Sequence, residues 1–369
     1  MKFVAPCLLG LEGLVANELR FLDIENVTAE NGRVLFEGGY DVMARANICS
    51  RYAQRVLILL DEFEAKDFDT LFERVKAIDW SEFIGEKDRF PVKGSCVSSD
   101  LSSVPACQKI VKKAAAESLK KVYHTEWFEE SGGIRQIQFL VFKDRVSVML
   151  DTSGEPLNKR GWRAQANDAP IRETLAAAMA ELSRVRENHI VVDPFCGSGT
   201  ILIEAALKAM RIMPGVNRSF AFESFEQIPS DIIEKERARA RASERRDVSF
   251  RAFGYDIDEE ALSIARHNAE LAQVADYITF EKRDIADYRE NFDACTVITN
   301  PPYGERMLDL NKARELYRTM GRVFLQKPRH SYTIISPDET FESLFGRKAD
   351  RKRKLYNGML KCNVYMFFR

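Results

Sequence analysis

Apolar and polar positions divide the chain into regions with different periodicities. In residues 1 to 60, short apolar runs at 3–6 and 56–60 flank a helical spacing at 13–21, and Asn31-Gly32 precedes the alternating Val34 and Phe36. Period-two runs joined by Asn-Gly predict paired strands, whereas a 3.6-residue spacing predicts a helix. This region is therefore predicted to be a small α+β unit.

Residues 61 to 160 carry a basic stripe. The predicted helix 105–121 places lysines at i, i+3, i+4, i+11 and i+12, on the face opposite Ile110, Ala114 and Leu119. The lysines are Lys109, Lys112, Lys113, Lys120 and Lys121. Two interpretations stay open: a solvated helix face, or a patch that contacts phosphates. Gly132-Gly133 and apolar positions between 139 and 148 predict two further strands.

From Pro170 the pattern changes to alternating helices and strands, after a segment at Asn158 to Trp162 that is typical of a hinge. Repeated strand and helix units predict a doubly wound, mostly parallel α/β sheet. The predicted strands lie at 190–192, 250–255, 278–280, 296–299, 333–336 and 361–368. The predicted helices lie at 170–182, 199–210, 232–246, 258–272 and 316–325, with Pro170 in a first turn.

Composition excludes several classes of protein. With 45% hydrophobic and 30% charged residues, the chain is neither disordered nor collagenous, and no apolar run approaches the ~18 residues of a membrane span. Because 55 basic and 56 acidic residues leave a net charge of −1, a protein that grips nucleic acid with its whole surface is disfavoured. Local patches remain possible, and residues 347–354 predict either a basic loop near the active face or a solvated loop.

The seven cysteines contain no Cys-x-x-Cys pair, and the four histidines are isolated. This pattern favours free thiols in a reducing compartment and argues against disulfides or a metal site. Pro6, Gly10 and Glu12 interrupt the apolar N-terminal stretch, which disfavours a signal peptide. We therefore expect a cytoplasmic protein that holds no metal.

A glycine loop follows the strand at 190–192. Residues 193 to 200 read Asp-Pro-Phe-Cys-Gly-Ser-Gly-Thr, and such a loop lets backbone amides approach a ligand at the start of a helix. A P-loop would require Lys at the position of Gly199, and a dinucleotide fingerprint would require Gly at the position of Leu202. Both nucleotide motifs are therefore disfavoured.

Two carboxylates come at predicted strand ends. Asp256 and Asp284 follow the strands at 250–255 and 278–280, where a carboxylate can accept hydrogen bonds from ribose hydroxyls or from an adenine amine. Asp256 lies 63 residues after Asp193, compared with about 20 in a minimal unit. Either Asp256 is not the ribose ligand or residues 208–250 form an insertion, which we favour. A capping or surface role stays open for each carboxylate.

The sequence Asn300-Pro301-Pro302-Tyr303 directly follows the strand at 296–299. Two prolines fix φ and remove amide donors, so carbonyl groups and the Asn side chain remain as acceptors. Acceptors without donors suit an amine substrate, and Tyr303 offers a ring on which a base can stack. A plain proline turn becomes an unconvincing alternative once the glycine loop and two carboxylates precede this motif.

Together these motifs resemble a known family. In the order DPFCGSGT, GYDID, RD and NPPYG, they look like a class I S-adenosylmethionine-dependent methyltransferase that acts on an exocyclic amine. The wider set is similar to bacterial THUMP-domain ribosomal RNA methyltransferases that modify the N2 amine of guanine, here with a single catalytic domain. That set comprises Gly10-Leu11-Glu12, Val104-Pro105, Cys107-Gln108, Lys112-Lys113, Lys159 to Arg163, Pro170 to Ala176, and Asn300 to Arg306.

The resemblance implies three regions: ferredoxin-like α+β at 1–60, a THUMP RNA-binding domain at 61–160, and a Rossmann-like methyltransferase domain at 161–369 with a seven-stranded, mostly parallel sheet. It also implies transfer of a methyl group from S-adenosylmethionine to a guanine N2 amine in large-subunit (23S) ribosomal RNA. No membrane, metal or obligate protein partner is expected.

The resemblance further implies the site residues. Methionine-end contacts fall on Asp193, Cys196, Gly197 and Gly199, ribose on Asp256 and adenine near Asp284, with Thr174, Ile257 and Ile285 as further cofactor-binding positions. The catalytic set is Asn300, Pro301, Pro302 and Tyr303. The RNA-binding set is Lys109, Lys112, Lys113, Arg351 and Lys352.

Other functions stay open at this point. An adenine N6 methyltransferase acting on RNA or DNA would use the same Asn-Pro-Pro-Tyr chemistry. A dinucleotide oxidoreductase, or an RNA-binding protein that has kept the fold without turnover, would account for less of the sequence. Cys196 could act as a nucleophile, although its place inside the glycine loop favours a small packing residue.

Overall fold

The structure is a computed structural model that describes residues 1–163, 171–289, 292–303, 310–325, 329–358 and 360–368. The N-terminal half contains seven strands and four helices. Its strands are β1 Lys2–Pro6, β2 Thr28–Glu30, β3 Arg33–Glu37, β4 Leu57–Glu64, β5 Val92–Val97, β6 Ile137–Phe142 and β7 Arg145–Asp151. Its helices are α1 Glu12–Phe21, α2 Tyr40–Cys49, α3 Phe68–Lys76 and α4 Val104–Tyr123.

These seven strands form one continuous sheet in the order β2-β3-β1-β4-β7-β6-β5. All neighbours are antiparallel except β5 and β6, which helix α4 joins as a parallel crossover. The β4 and β7 strands pair from Leu57 opposite Asp151 to Glu64 opposite Arg145. The boundary expected between residues 60 and 61 falls inside β4, so the ferredoxin-like and THUMP regions share a single sheet.

The C-terminal half forms a second sheet of seven strands, in the order β10-β9-β8-β11-β12-β14-β13. Five are parallel, and β14 is antiparallel to both neighbours, which confirms the predicted mostly parallel sheet. The strands are β8 Ile190–Asp193, β9 Arg251–Asp256, β10 Ile278–Lys282, β11 Cys295–Thr299, β12 His330–Ser336, β13 Arg351–Asn357 and β14 Leu360–Phe367. The helices are α5 Glu173–Leu182, α6 Thr200–Ala209, α7 Ser230–Ala242, α8 Glu259–Leu271, α9 Leu310–Phe324 and α10 Phe341–Phe345.

The predicted basic loop is wrong for the residues from Arg351 onward, because they belong to edge strand β13. Leu355 is buried and anchors this strand, while Arg351, Lys352 and Lys354 are exposed. A charged strand is tolerated at a sheet edge, where its side chains stay in water. The many charged residues of this segment therefore made it resemble a loop in the sequence.

Residues 210–250 lie between α6 and β9 as an insertion, and they contact the N-terminal half. Helix α7 packs on α2, where Arg45 Nε and Nη2 donate to the Glu236 carboxylate at 2.9 and 2.8 Å. Arg135 of the N-terminal half donates to Ser224 Oγ at 2.8 Å, and its guanidinium lies 4.5 Å from the centre of the Phe225 ring. The insertion thus joins the two halves.

The segment predicted as a hinge, Asn158 to Trp162, is instead anchored by Arg160 and Trp162, whose side chains are buried. Arg160 and Glu204 form an ion pair at 3.1 Å with side chains 1% and 0% exposed. Arg160 also donates to the carbonyls of Leu157 at 2.7 Å and Arg51 at 2.5 Å. A guanidinium with this many partners fixes the connection instead of leaving it free to swing.

Candidate functional site

The parallel sheet brings the predicted site residues to one edge. Strands β10, β9, β8 and β11 are neighbours, and Asp284, Asp256, Asp193 and Asn300 lie at or just beyond their carboxyl ends. Ligands of open α/β sheets bind at this edge, close to the point where strand order reverses. Residues separated by more than a hundred positions in sequence thus come together.

The glycine loop between β8 and α6 takes the backbone conformation that its sequence requires. Gly197 and Gly199 have φ of 49° and 80°, in the left-handed region. A Cβ on Gly199 would lie 3.1 Å from Ala265 Cβ, so space also favours glycine there. The Cys196 amide donates to the Tyr255 carbonyl at 2.9 Å, and the Gly197 amide donates to Asp256 Oδ2 at 3.0 Å. The loop is therefore tied to the end of β9.

Asp193 is the most buried carboxylate of the site, with 1% of its surface exposed. Its Oδ1 accepts from Thr299 Oγ1 at 2.7 Å and from the Phe195 amide at 3.1 Å. Burial raises the pKa of Asp193 to about 7, and the nearby charge of Asp256 adds to this effect. A cation placed beside Asp193 would favour its ionised form.

Asp256 stands at the end of β9 with both oxygens aimed at backbone amides. Oδ1 accepts from the Asp258 amide at 3.0 Å, while Oδ2 holds the Gly197 amide. The next side chain, Ile257, is 64% exposed although it is large and apolar. An exposed apolar side chain beside a carboxylate suits a ligand with a sugar and a flat base.

Asp284 and Ile285 follow β10, with the Asp side chain exposed and the Ile side chain buried. Asp284 Oδ1 accepts from the Ala286 amide at 2.7 Å and caps a short turn. Capping uses one oxygen and leaves the carboxylate at the site edge. The cofactor-binding role of both residues stays a prediction.

Thr174 and Arg163 form one side of the site, of which only Thr174 was predicted from the sequence as a site residue. Thr174 is 1% exposed, and its Oγ1 has no hydrogen-bond partner among the described residues. Arg163 donates to Thr200 Oγ1 at 2.6 Å and pairs with Glu173 at 3.2 Å. Arg163 was not predicted as a site residue; its position in the motif Lys159 to Arg163 was the available signal. The neighbouring Pro170 lies outside the described residues.

The Asn-Pro-Pro-Tyr segment differs from expectation in the placement of its aromatic residue. The Tyr303 hydroxyl donates to Asn300 Oδ1, the acceptor predicted for the amine. The phenol also interacts with Asn357 of β13 and Cys362 of β14, and burial raises the pKa of Tyr303. The half-buried ring is thus engaged within the protein instead of standing open as a platform. The continuation of the motif, Gly304 to Arg306, lies outside the described residues.

Cys196 has the environment of a packing residue. It is 6% exposed, and burial, followed by the charges of Asp193 and Asp256, raises the pKa of its thiol well above the usual value. A reactive thiol needs a lowered pKa and access to solvent. The geometry therefore agrees with the small packing residue favoured above.

The predicted RNA-binding residues fall into two groups. Lys109 and Lys113 are exposed on helix α4 and Arg351 is exposed on β13. The remaining two have internal partners. Lys112 pairs with Glu130 at 2.6 Å and lies 3.4 Å from the centre of the Phe90 ring, while Lys352 pairs with Glu342 at 2.6 Å. Lys109, Lys113 and Arg351 are the better placed to meet a phosphate.

The donor set fits S-adenosylmethionine. The unpartnered Thr174 hydroxyl and the amides at the start of α6 can hold a carboxylate, and buried Asp193 suits the positive charges of the methionine end. Asp256 suits ribose hydroxyls, and Ile257 with Asp284 can hold adenine. Where it binds, this cofactor supplies an electrophilic methyl group.

Comparison with known proteins decides the family. The model of the family described as RMKL-like, methyltransferase domain, matches residues 160–366. The chain belongs to this RMKL-like methyltransferase family. Models of the RlmL ferredoxin-like domain and the THUMP domain match residues 2–57 and 65–151, which confirms both predicted N-terminal folds. This RMKL-like protein is therefore an S-adenosylmethionine-dependent methyltransferase, as its motifs predict.

Relatives of the RMKL-like protein match its full length. It is 41% identical to "Putative RNA methyltransferase YpsC" of Bacillus subtilis (strain 168), over 99% of this chain and 95% of that one. It is 31% identical to "Ribosomal RNA large subunit methyltransferase K/L" of Psychromonas ingrahamii, over 98% of this chain but only 49% of that protein. The RMKL-like chain thus spans about half of the K/L protein.

Two solved structures superpose closely on the RMKL-like protein. SMU.472, described as "a putative methyltransferase complexed with SAH", is 39% identical with a TM-score of 0.93, covering 100% of this chain and 97% of its own. A predicted N6-adenine-specific DNA methylase from Listeria monocytogenes is also 39% identical with a TM-score of 0.93, covering 100% and 96%. The fold extends over the whole chain in both cases.

The described residues also bear on metal sites and on membrane-spanning helices. No group of three or more His, Cys, Asp or Glu side chains that could hold a metal ion occurs there. None of the described helices is both long and apolar enough to cross a membrane.

Proposed function

We propose that this enzyme transfers a methyl group from S-adenosylmethionine to the exocyclic N2 amine of a guanine in large-subunit (23S) ribosomal RNA. One observation carries the proposal: Thr299, the residue before Asn300, donates to Asp193 at 2.7 Å. This bond holds the predicted amine acceptor next to the carboxylate predicted to meet the cofactor. Methyl donor and amine would thus meet at adjoining strand ends.

The amine needs help because its lone pair is delocalised into the base. Hydrogen bonds from its N–H groups to Asn300 Oδ1 and the Pro301 carbonyl would direct the lone pair toward the methyl group and stabilise the charge that develops on nitrogen. Such a preorganised acceptor contributes about 3 kcal/mol, or ~100-fold in rate. The incoming amine would replace the Tyr303 hydroxyl as the partner of Asn300.

RNA is favoured as the substrate by the N-terminal half. Exposed Lys109 and Lys113 stand one turn apart on α4 and could contact successive phosphates. Relatives named as RNA and ribosomal RNA methyltransferases add support. Taking the base out of its stack costs a few kcal/mol, which contacts in the site must offset. With ribosomal RNA as substrate, we also propose that the enzyme works in the cytoplasm.

An adenine N6 amine on RNA or DNA is the second candidate. It presents the same N–H donors to Asn300, and one closely similar structure is described as a predicted N6-adenine-specific DNA methylase. The motif geometry does not distinguish the two amines. The THUMP domain favours RNA over DNA, whereas the choice of base rests on the family resemblance.

The deciding experiment incubates the enzyme with labelled S-adenosylmethionine and large-subunit RNA from a strain that lacks the enzyme. Nucleoside analysis by mass spectrometry should show N2-methylguanosine at one mapped position, and Asn300→Ala should lower the rate at which it forms about 100-fold. N6-methyladenosine would establish the second candidate instead. Transfer to duplex DNA without transfer to RNA would overturn the choice of substrate.

A further inference from the structure

A basic surface that the proposed function does not use lies on the edge of the catalytic sheet opposite the site. We define the distal arginine patch as five exposed residues near the amino ends of β8 and β9: Arg184, Arg186, Arg211, Arg241 and Arg245. They lie on the turns that follow α5 and α6 and on the C-terminal part of the insertion.

Backbone contacts bring the members of the patch together. Arg211 follows the end of α6, and Lys208 of that helix reaches the Val185 carbonyl at 2.9 Å, between Arg184 and Arg186. On the other side, the Arg245 amide donates to the Met210 carbonyl at 2.8 Å. Ser243 Oγ donates to the Arg211 carbonyl at 3.3 Å. The three segments therefore form one surface.

The patch differs from the rest of the insertion in its lack of carboxylate partners. Arg237 pairs with Glu223 at 2.9 Å, and Arg239 pairs with Asp23 at 2.9 Å. Within the described part of the chain, no guanidinium of the distal arginine patch has an ion pair or side-chain hydrogen bond. Arg246 is adjacent to Arg245 in sequence, but it pairs with Glu244 at 3.7 Å and is therefore not counted in the patch. The other carboxylates close to the patch are those of Glu187 and Asp247.

The chemistry of this surface selects its partner. A guanidinium offers a planar fork of donors that matches phosphate oxygens, and unpaired arginines raise the local potential for an anion. The segments 182–188, 208–213 and 241–249 hold none of the exposed large hydrophobic side chains, so the apolar centre of a typical protein interface is missing. Charge without an apolar anchor favours a polyphosphate chain over a protein.

We propose that the distal arginine patch binds the phosphate backbone of a second segment of the RNA substrate, away from the methylated nucleotide. The inference rests on the proposed function for the identity of that RNA. Strand β8 separates the patch from the glycine loop, so a residue of the patch cannot touch the reacting base. The substrate must then be long enough to pass around the catalytic domain.

The test replaces Arg211, Arg241 and Arg245 with Gln in the full chain and measures binding to 23S ribosomal RNA as a function of salt. Three lost phosphate contacts should lower the slope of log affinity against log salt by about 2 to 3 units. Lys substitutions at the same positions keep the charge and should keep the slope. A short RNA hairpin around the mapped nucleotide should bind wild type and variant equally.

A matched control removes three charges from exposed ion pairs elsewhere, at Lys66, Lys159 and Lys235. This control should leave the slope nearly unchanged, and cofactor affinity should be unaltered in every variant, which also reports correct folding. Lys109→Gln with Lys113→Gln should weaken binding of both RNAs.

Equal slopes for the Gln variant and the wild type would refute RNA binding by the distal arginine patch. A larger loss of binding to polyglutamate than to RNA would overturn it in favour of an acidic protein partner. Because these assays need no turnover, they separate the two proposals. Failure of the wild-type enzyme to methylate ribosomal RNA would refute the proposed function alone, while the slopes would still decide whether the patch binds RNA.

Discussion

The protein contains two seven-stranded sheets that arrange their polar residues in opposite ways. In the N-terminal half, a cluster of buried polar groups around Asn47 satisfies its own hydrogen bonds. Asn47 donates to Thr152 Oγ1 at 2.9 Å and to the Met43 carbonyl at 3.0 Å, and it accepts from Ser153 Oγ at 2.6 Å. In the C-terminal sheet, the Thr174 hydroxyl is buried without a partner among the described residues, and buried Asp193 carries a raised pKa.

Strand direction explains this difference. Parallel strands bring all their carboxyl ends to one edge, so polar side chains at those ends collect around a ligand. Antiparallel strands alternate direction, which distributes such ends over both edges. Satisfied polar groups hold the architecture together, whereas a buried polar group without a partner at the ligand-binding edge of a sheet is a candidate ligand contact. The contrast provides tests in which each change is paired with a matched control elsewhere in the protein.

The largest effect is expected at Asn300. Asn300→Ala removes the acceptor for the amine and should lower turnover about 100-fold, with cofactor affinity unchanged. Single-turnover methylation and calorimetry measure the two quantities. Asn47→Ala is the matched change in the other sheet and should cost about 1–3 kcal/mol of stability with normal turnover of the folded enzyme. Normal single-turnover rates in Asn300→Ala would remove this residue from the mechanism.

A somewhat smaller effect is expected at Asp256. Asp256→Ala should weaken cofactor binding about 30- to 100-fold, or roughly 2–3 kcal/mol, because hydrogen bonds to a charged group and the tie to Gly197 are lost. Calorimetry measures the cofactor affinity of this variant. Asp258→Ala is the control two residues away: it removes the cap of α8, costs about 1 kcal/mol of stability and should leave affinity intact. Equal effects of both changes would assign the ribose contact elsewhere.

A charge reversal in the contact between the two halves should lower the free energy of unfolding by about 2 kcal/mol. Arg45 and Glu236 have side chains only 12% and 9% exposed, so Arg45→Glu leaves like charges facing each other in a desolvated contact. Adding Glu236→Arg should restore most of the lost stability in denaturant unfolding. The same reversals in the exposed pair Lys235 and Asp231 should change stability by less than about 0.5 kcal/mol. Absence of rescue by the double reversal would argue against a specific joint.

The smallest effect concerns pH. Burial raises the pKa of Asp193 to about 7, so between pH 6 and pH 8 its ionised fraction rises about tenfold. Cofactor affinity should rise by up to about this factor, since the ionised carboxylate attracts the cationic methionine end. Asp193→Asn should remove that dependence. Calorimetry at both pH values measures the change.

Glu18 supplies the control for this prediction in the N-terminal half. Burial raises its pKa to about 7 as well, although Ser50 Oγ and the Arg51 amide donate to it. Raised carboxyl pKa values mean that both groups stabilise the fold at low pH and lose that contribution as pH rises toward 7. Glu18→Gln should therefore change the pH dependence of unfolding and leave that of cofactor binding unchanged. A pH dependence of binding that persists in Asp193→Asn would exclude Asp193 as its source.

Much of the catalytic half could be predicted because its information is local. A strand followed by a glycine loop, and a strand followed by Asn300, place side chains through short turns whose geometry the sequence specifies. The order of strands then follows from the few topologies that parallel sheets allow. The insertion was recognisable as an excess of residues before Asp256.

The missed features depend on contacts between distant segments. Pairing of β4 with β7 merges two regions that differ in composition, and buried Arg160 is held by carbonyls of Ser50 and Arg51 and by the Glu204 carboxylate of the C-terminal half. Lys112 belongs to a basic stripe in sequence, yet Glu130 and the Phe90 ring take it up in space. Hydrophobic periodicity cannot reveal such partners, because it shows which face of a helix or strand a residue occupies and not which residues contact that face. The contacts of Tyr303 with Asn357 and Cys362 have the same origin.

Edge strand β13 has a consequence for how copies of the protein behave toward each other. An uncovered sheet edge offers unpaired amides and carbonyls, and two such edges can join into an aggregate. Along β13, exposed Arg351 and Lys354 make the approach of a second identical edge electrostatically unfavourable, and Gly10 lies against the Lys354 carbonyl. The basic residues first considered for RNA binding are thus also expected to disfavour edge-to-edge association of two copies of the protein.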